Sequence, residues 1–468
     1  MTSSALSAFG FFFLAVITRS VFFTITQFTA DDAYITFRYA ENLAAGQGFV
    51  YNVGERVLGT TTPLFTFLLS FFSLVGLPTP SSALVLSLIF SGLTAAFLYR
   101  FAQSLGFTRL AFLPPLVYSF WPRSLVAETS GMETALFTLL VTAAFYYQHK
   151  RLDMYAIGMA TLATVTRPEG MGLLLLILFV NVWQHRERIR KYLRIAGGIL
   201  IPWIIFATFY FGSPIPNSIR GKLALYSQFG QMPLWDTVVY LMGWHSIFGW
   251  VIFVFALIGA RWLWHKQGYG RLEVVWLFGM IAFYSLSSSK VFFWYITPIY
   301  PVYILFISAS CVQLADAMKL RERAFSYARI AGGAVLIAGL IWISLPTVRY
   351  YAAYQETLER VHKQIGLYLF TQGKAGDRVA AEDIGYMGYY SQLSILDRDG
   401  LISPEFHIYN RQARYLDAVL DHTPRWVVAA RSSPTSAFID SARFTDSYIW
   451  DTSFSDQKYE YVLFQRRE

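Results

Sequence analysis

The sequence has a single cysteine in 468 residues, and that cysteine, Cys311, lies in an apolar run. No internal disulfide is possible, and cysteine usage carries no information about compartment. Charge is scarce too. Asp, Glu, Lys and Arg make up 14% of the chain, where ordinary soluble domains carry about 25%. That shortage excludes a disordered chain, a coiled coil and almost any single soluble enzyme fold. The seven histidines, His245 among them, show no metal-ligand spacing and read as packing or surface residues. What is abundant is apolar: 55% hydrophobic and 18% aromatic residues, with a mean hydropathy of +0.42. The composition implies a polytopic α-helical membrane protein with some soluble mass attached.

The net charge of +9 is unevenly spread. Of 38 basic and 29 acidic residues, 14 and 16 fall from Arg349 onward, leaving 24 basic and 13 acidic before it. The excess lies in short tracts between apolar runs, which is membrane topology rather than a nucleic-acid face. A crossing helix needs about 20 apolar residues. Spans are expected near Leu6–Gln27, Ser81–Gln103, Leu110–Leu125, Thr134–Gln148, Met154–Thr166, Gly170–Trp183 and Ile195–Phe211. More follow near Trp244–Trp264, Val274–Ser287, Phe292–Leu314 and Ile330–Leu345, about eleven in all. Alternate loops carry most of the Lys and Arg: Arg100 and Arg109, Lys150 and Arg151, Arg186 to Arg194, Arg261 to Arg271, and Lys319, Arg321, Arg323 and Arg329. Those loops are expected on the cytoplasmic side, giving a cytoplasmic amino terminus and an outer carboxyl tail in the cell membrane. The long first span, with no basic residue before Arg19, reads as a retained anchor. Two segments, residues 28–80 and the tail 347–468, are too long for connectors. The domain expectation is a membrane module over 1–346 and a small α/β domain over 347–468. In that tail, helices are expected at Gln355–Phe370 and Tyr409–Leu420 and strands at Arg378–Ala381, Ser394–Leu396, Arg425–Ala430 and Tyr459–Phe464.

Directly after the first span come Asp31 and Asp32, followed by Tyr34, Phe37 and Leu43 at helical spacing. Adjacent carboxylates are favourable only if they hold a cation, accept hydrogen bonds or share a proton. The pair reads either as an acidic cap on an amphipathic helix lying on the membrane or as a general base, a metal ligand, or both. Glycines 46, 48, 54 and 59 then suggest a short strand and a turn, before an apolar helix Pro63–Val75.

The run DDAYITFRYAENLAAGQGFVYNVGERVLGTTTPL, Asp31 to Leu64, closely resembles the first periplasmic loop of GT-C superfamily glycosyltransferases. It is most similar to the branch containing the mycobacterial terminal arabinofuranosyltransferase. ETSGMETALF from Glu128, TRPEG from Thr166, PIPNSIRGK from Pro214, EDIGYMGYYS from Glu382 and LDRDGLISP from Leu396 follow in order. The resemblance implies a GT-C fold and transfer of a sugar, by branch a pentofuranose such as arabinofuranose, from a polyprenyl-phosphate donor at the outer membrane face. The acceptor would be an envelope glycan, lipid or protein. It also implies that Glu128 shares a divalent cation, Mg²⁺ or Mn²⁺, with Asp31 or Asp32, although some members of the superfamily need no metal. Glu128 and Glu133 otherwise read as capping a turn.

Arg167 and Glu169 flank Pro168 at membrane depth, so they are read as a structural ion pair or, through Arg167, as a phosphate contact. Arg38, Asn217, Arg220, Lys222, Lys290 and Tyr295 complete the expected donor-side set, positive charge on the outer side running against the topological bias. The sequence departs from the family pattern at Trp294, where relatives often carry an arginine. Asp383, Gly385, Tyr389 and Tyr390 read as a strand-turn feature of the tail. In an inverting displacement Asp31 is favoured as the base, with Asp32 fixing a metal or the helix. A transporter or flippase for lipid-linked sugars is the rival reading. It lacks an internal repeat and a midplane acidic site in this sequence. A non-catalytic scaffold is the third.

Overall fold

A computed structural model describes residues 3–226, 247–267, 270–286, 291–318, 322–456 and 458–468. His245, Lys290, Lys319 and Arg321 lie outside these residues. The chain begins with α1 (Ser3–Thr26), α2 (Asp31–Ala44), α3 (Pro63–Leu74), α4 (Thr79–Ser104), α5 (Leu113–Ser119) and α6 (Pro122–Thr129). Next come α7 (Thr134–His149), α8 (Asp153–Thr166), α9 (Gly170–Gln184), α10 (Ile189–Phe211) and α11 (Asn217–Tyr226). The helices α12 (Ile247–Gln267), α13 (Arg271–Leu286), α14 (Tyr300–Ala317) and α15 (Glu322–Thr357) follow. The remainder comprises α16 (Lys363–Gln372), α17 (Ile384–Ser391), α18 (His407–Arg411), α19 (Tyr415–His422) and α20 (Ala442–Thr445).

Among the described residues, five helices are long and apolar enough to cross a membrane: Ser4–Thr26, Thr79–Ser104, Arg186–Phe211, Phe293–Ala317 and Ala331–Gln372. Three shorter apolar helices accompany them, Pro63–Leu74, Gly170–Gln184 and Gly249–His265. The expected span Leu110–Leu125 is not one helix. Pro114 and Pro115 open α5, and Pro122 starts α6 afresh, because proline cannot continue a helix whose preceding turn it clashes with. The amphipathic helix after the first span is present as α2, and the returning apolar helix as α3. No strand forms among the glycines at 46–59, which instead build an irregular loop.

Contacts divide the chain into two compact units, and the division does not follow a single cut at residue 346. Unit 1 comprises Met1–Phe28, Leu84–Pro202 and Met232–Tyr351. In it α7, α8 and α9 pack in succession, α12 lies against α14, and α1 packs on α5 and α6. Unit 2 comprises Thr29–Ala83, Trp203–Gln231 and Ala352–Glu468, so the first loop and the tail fold as one body.

Its centre is a five-stranded sheet in the order β2-β1-β3-β5-β4. The strands are β1 (Arg378–Ala381), β2 (Ser394–Asp397), β3 (Trp426–Ala430), β4 (Tyr448–Ser455) and β5 (Glu460–Arg466). The first three are parallel, and β5 runs antiparallel to both β3 and β4. Alternation sorts the side chains onto two faces. Val379, Ile395, Val428 and Leu463 join a core with Ile35, Tyr39, Phe49 and Tyr51 of the first loop. Ala380, Leu396, Val427 and Phe464 join Phe406, Val419 and Phe444 on the other face. The strand β4 was not anticipated. It carries Asp451, Thr452 and Ser453 in its middle and bulges between Trp450 and Thr452, so its sequence lacks a buried face. The expected helix Tyr409–Leu420 is broken at Ala413, whose left-handed backbone (φ 52°) separates α18 from α19.

Candidate active site

The acidic pair opens α2. Ala30 takes the extended N-cap conformation, and no side chain caps α2 itself. Asp31 caps a different helix. Its Oδ2 accepts from the backbone N–H of Gly385 at 2.8 Å and its Oδ1 from that of Tyr386 at 2.9 Å. These are the second and third residues of α17, whose N-cap residue, Asp383, makes no side-chain capping bond. The first orphan N–H groups of a helix favour an anion, and here it comes from 354 residues away. EDIGYMGYY is thus the start of a helix, not a strand-turn. Glycine is required at 385. A Cβ there would run into the main-chain oxygen and Oδ2 of Asp31, and at Gly388 into the hydroxyl of Tyr51.

His362, which local sequence gave no reason to single out, lies buried with Nδ1 3.6 Å from Asp31 Oδ1. Burial alone would favour its neutral form. Asp31, Asp383 and Asp456 outweigh that and raise its proton affinity. Asp383 accepts from the hydroxyl of Tyr461 at 2.5 Å. Its own pKa is pushed up by burial and by Asp31, and pulled back by His362 and the Tyr461 bond. Asp32 is half-buried, and burial is the largest influence raising its pKa. Lys222 of α11 opposes that shift, and Asp31 adds to it. A wall of tyrosines adjoins. The ring of Tyr34 lies 4.1 Å from that of Tyr386, 5.0 Å from Tyr389 and 5.7 Å from Tyr390.

Several expected donor-side residues are structural. Arg38 is buried and gives its Nη1 and Nη2 to the carbonyls of Gly388 (2.6 Å) and Leu393 (2.7 Å), stacked 4.3 Å from the ring of Tyr51. Its fork ties α2 to the far end of α17 and is not presented to a phosphate. Asn217 gives its amide to the carbonyls of Gly400 and Leu401, both at 2.9 Å, and so fixes α11, on which Lys222 sits. Arg220 is exposed on the same helix.

Within unit 1, Arg167 is clamped between Glu133 (2.7 Å) and Glu169 (3.0 Å) over the ring of Tyr295. Glu169 also accepts from Tyr284 at 2.5 Å. Arg167 and Glu169 therefore form the structural ion pair, with Glu133 as a third member, and the arginine's two terminal nitrogens are taken. Glu128 is wholly buried, and its Oε2 receives Arg19 (2.9 Å), Ser91 (2.8 Å) and Tyr118 (2.7 Å). That carboxylate neutralises the arginine inside the first span.

The shared-cation reading of Glu128 does not fit, because its Oε2 is spent on Arg19, Ser91 and Tyr118. Among the described residues no three His, Cys, Asp or Glu come together as a ligand set.

Comparison with known proteins bears on the same elements. Residues 347–465 match a family model described as a domain of unknown function, DUF8728. A curated relative, the terminal β-(1→2)-arabinofuranosyltransferase of Mycobacterium tuberculosis, is 30% identical over 232 residues, covering 44% of this chain. The match spans only 36% of that relative's length. Among solved structures, ArnT from Cupriavidus metallidurans bound to undecaprenyl phosphate aligns with a TM-score of 0.61 over 97% of both chains, at 13% identity. The Archaeoglobus fulgidus oligosaccharyltransferase AglB, in complex with an inhibitory peptide and a dolichol-phosphate, aligns with a TM-score of 0.53 at 10% identity. It covers 96% of this chain and 74% of the other. The chain has the fold of the GT-C superfamily of membrane glycosyltransferases, the one its first-loop motif resembles.

Proposed function

We propose that the protein is a membrane glycosyltransferase that moves a sugar, a pentofuranose by its likeness to the arabinofuranosyltransferase, from a polyprenyl-phosphate donor to an envelope glycan or lipid acceptor. The observation that carries this reading is the difference in surroundings between the two aspartates. Asp31 is immobilised by two N–H donors and faced by His362, which fixes its direction and balances its charge. It serves as the base that removes the acceptor's hydroxyl proton, so that oxygen attacks the anomeric carbon with inversion while the polyprenyl phosphate leaves. Asp32 stands beside Lys222, whose ammonium is a compact charge suited to the leaving phosphate. Tyr389 and Tyr390, half-buried at the edge of the tyrosine wall, offer faces on which a sugar ring can stack.

General-base assistance is typically worth about 10²–10⁴-fold, and charge stabilisation of the leaving group a comparable amount. The test is transfer from a radiolabelled polyprenyl-phosphate pentofuranose in proteoliposomes. Asp31→Asn and Asp32→Asn are each expected to reduce turnover by at least a hundredfold while the protein still elutes monodisperse. Near-normal turnover by both variants removes the mechanism, and a product with retained anomeric configuration removes the single displacement.

A further inference from the structure

Unit 1 contains a cavity of about 780 Å³ that the reaction proposed above does not use. It opens where the carboxyl ends of α7 and α9 meet the starts of α8 and α13. Arg151, Arg188 and Arg271 line it against two acids, Asp153 and Glu273. Asp153 is already engaged, accepting from Tyr192 at 3.0 Å and pairing with Arg188 at 3.4 Å. Arg151 and Arg271 are exposed, and neither enters an ion pair among the described residues. Arg151 also sits just past the end of α7 in the left-handed conformation (φ 55°) that a helix terminus usually gives to glycine. A charged side chain is thus kept at the rim where the backbone would be more relaxed without one.

An apolar ladder leads away from this basic foot. Leu175, Phe179 and Trp183 of α9, four residues apart, are 58%, 66% and 69% exposed, and Phe179 and Trp183 line the cavity itself. At 1.5 Å per residue the ladder is about 12 Å long. A guanidinium fork matches a phosphate in geometry as well as charge, and basic pockets between membrane helices take anionic head groups. We propose that this cavity binds an anionic glycerophospholipid, its phosphate diester held by Arg151 and Arg271 and an acyl chain along Leu175, Phe179 and Trp183. The site depends on the chain crossing a membrane but not on the transfer reaction.

Native mass spectrometry of the detergent-purified full chain tests it with dioleoylphosphatidylglycerol, dioleoylphosphatidylcholine and inorganic phosphate as probes. The wild type is expected to retain phosphatidylglycerol at least tenfold better than phosphatidylcholine, and not to lose it to millimolar phosphate. In the double variant Arg151→Gly, Arg271→Gln, retention of phosphatidylglycerol falls by roughly ten- to thirtyfold, the effect of removing two charges from an anionic contact. Trp183→Ala weakens both lipids together. Equal retention of the two lipids overturns the proposal, as does an unchanged preference in the double variant. Displacement by free phosphate would show that the cavity takes an ion rather than a lipid. Should the double variant aggregate, Arg271→Gln alone decides the question by the same ratio.

Discussion

Replacing Gly385 by alanine sets two physical expectations against each other. Gly385 lies in the first turn of α17, and helix propensity alone predicts that alanine stabilises it by up to about 1 kcal/mol. The structure predicts the reverse. An alanine Cβ would fall on the main-chain oxygen and Oδ2 of Asp31, and neither is the yielding end of a long side chain. To relieve the clash, α17 must withdraw from Asp31, and the two N–H bonds at 2.8 and 2.9 Å open together. Hydrogen bonds to a charged group contribute about 1.5–3 kcal/mol each. Losing both costs about 3–6 kcal/mol, and subtracting the gain in propensity leaves a net loss of about 2–5 kcal/mol.

The assay is a thermal melt of the purified protein in detergent alongside transfer activity in proteoliposomes. Gly385→Ala is expected to melt lower and to lose activity at temperatures where it is still folded, because Asp31 is no longer aimed. Gly158→Ala is the matched control. That glycine sits inside α8 with open space around it, and its replacement leaves activity unchanged. A Gly385→Ala protein as stable and as active as the wild type would refute both the trans-capping role of Asp31 and the argument that its orientation matters.

Lys222→Gln is expected to lower turnover about 10²–10³-fold with partial rescue by Lys222→Arg, whereas Arg220→Gln, on the exposed side of α11, leaves turnover near normal; the reverse ranking in the transfer assay would contradict the placement of the cation. Removing one partner of the buried Arg19–Glu128 pair, as in Glu128→Gln, is expected to cost about 3–5 kcal/mol, read as lost expression that no added divalent cation restores, and Arg19→Leu with Glu128→Leu should be less harmful than either single change. His362 has a proton affinity raised by folding, so the stability it contributes is complete below its unfolded pKa of about 6.5 and is lost as pH rises through the higher folded value. The melting temperature of the wild type should therefore fall between pH 6 and pH 9 more steeply than that of His362→Gln, and parallel curves would show that the histidine is uncharged in the fold.

What the sequence disclosed followed physical range. The amphipathic helix Asp31–Ala44 and the apolar helix Pro63–Leu74 were legible because their signals are local: spacing of Tyr34, Phe37 and Leu43, and proline at a helix start. Four of the five strands were legible for the same reason, and β4 was hidden because an edge strand with a bulge need not alternate. The partners of the charged groups were not legible. Arg38 looked available for a phosphate because nothing nearby in sequence accepts its donors, and its acceptors are Gly388 and Leu393, 350 and 355 residues on. Glu128 looked like a metal ligand until Arg19, 109 residues earlier, took its charge. His362 had no local signal at all.

Helix geometry explains why two adjacent aspartates come to differ. Consecutive residues on a helix point about 100° apart, so a neighbour that engages one cannot equally engage the other. Asp31 meets the first N–H groups of a helix and, at 3.6 Å, a histidine. Asp32 meets burial and a lysine, which oppose each other. The bare motif Asp-Asp therefore supplies two carboxylates of the same intrinsic acidity, and the fold separates their environments by placing α17 against one and α11 near the other. Environments that separate two such carboxylates are how one site can give two acids different tasks side by side. Exchanging the partners, by removing the Gly385 approach or the Lys222 charge, should disable one aspartate at a time.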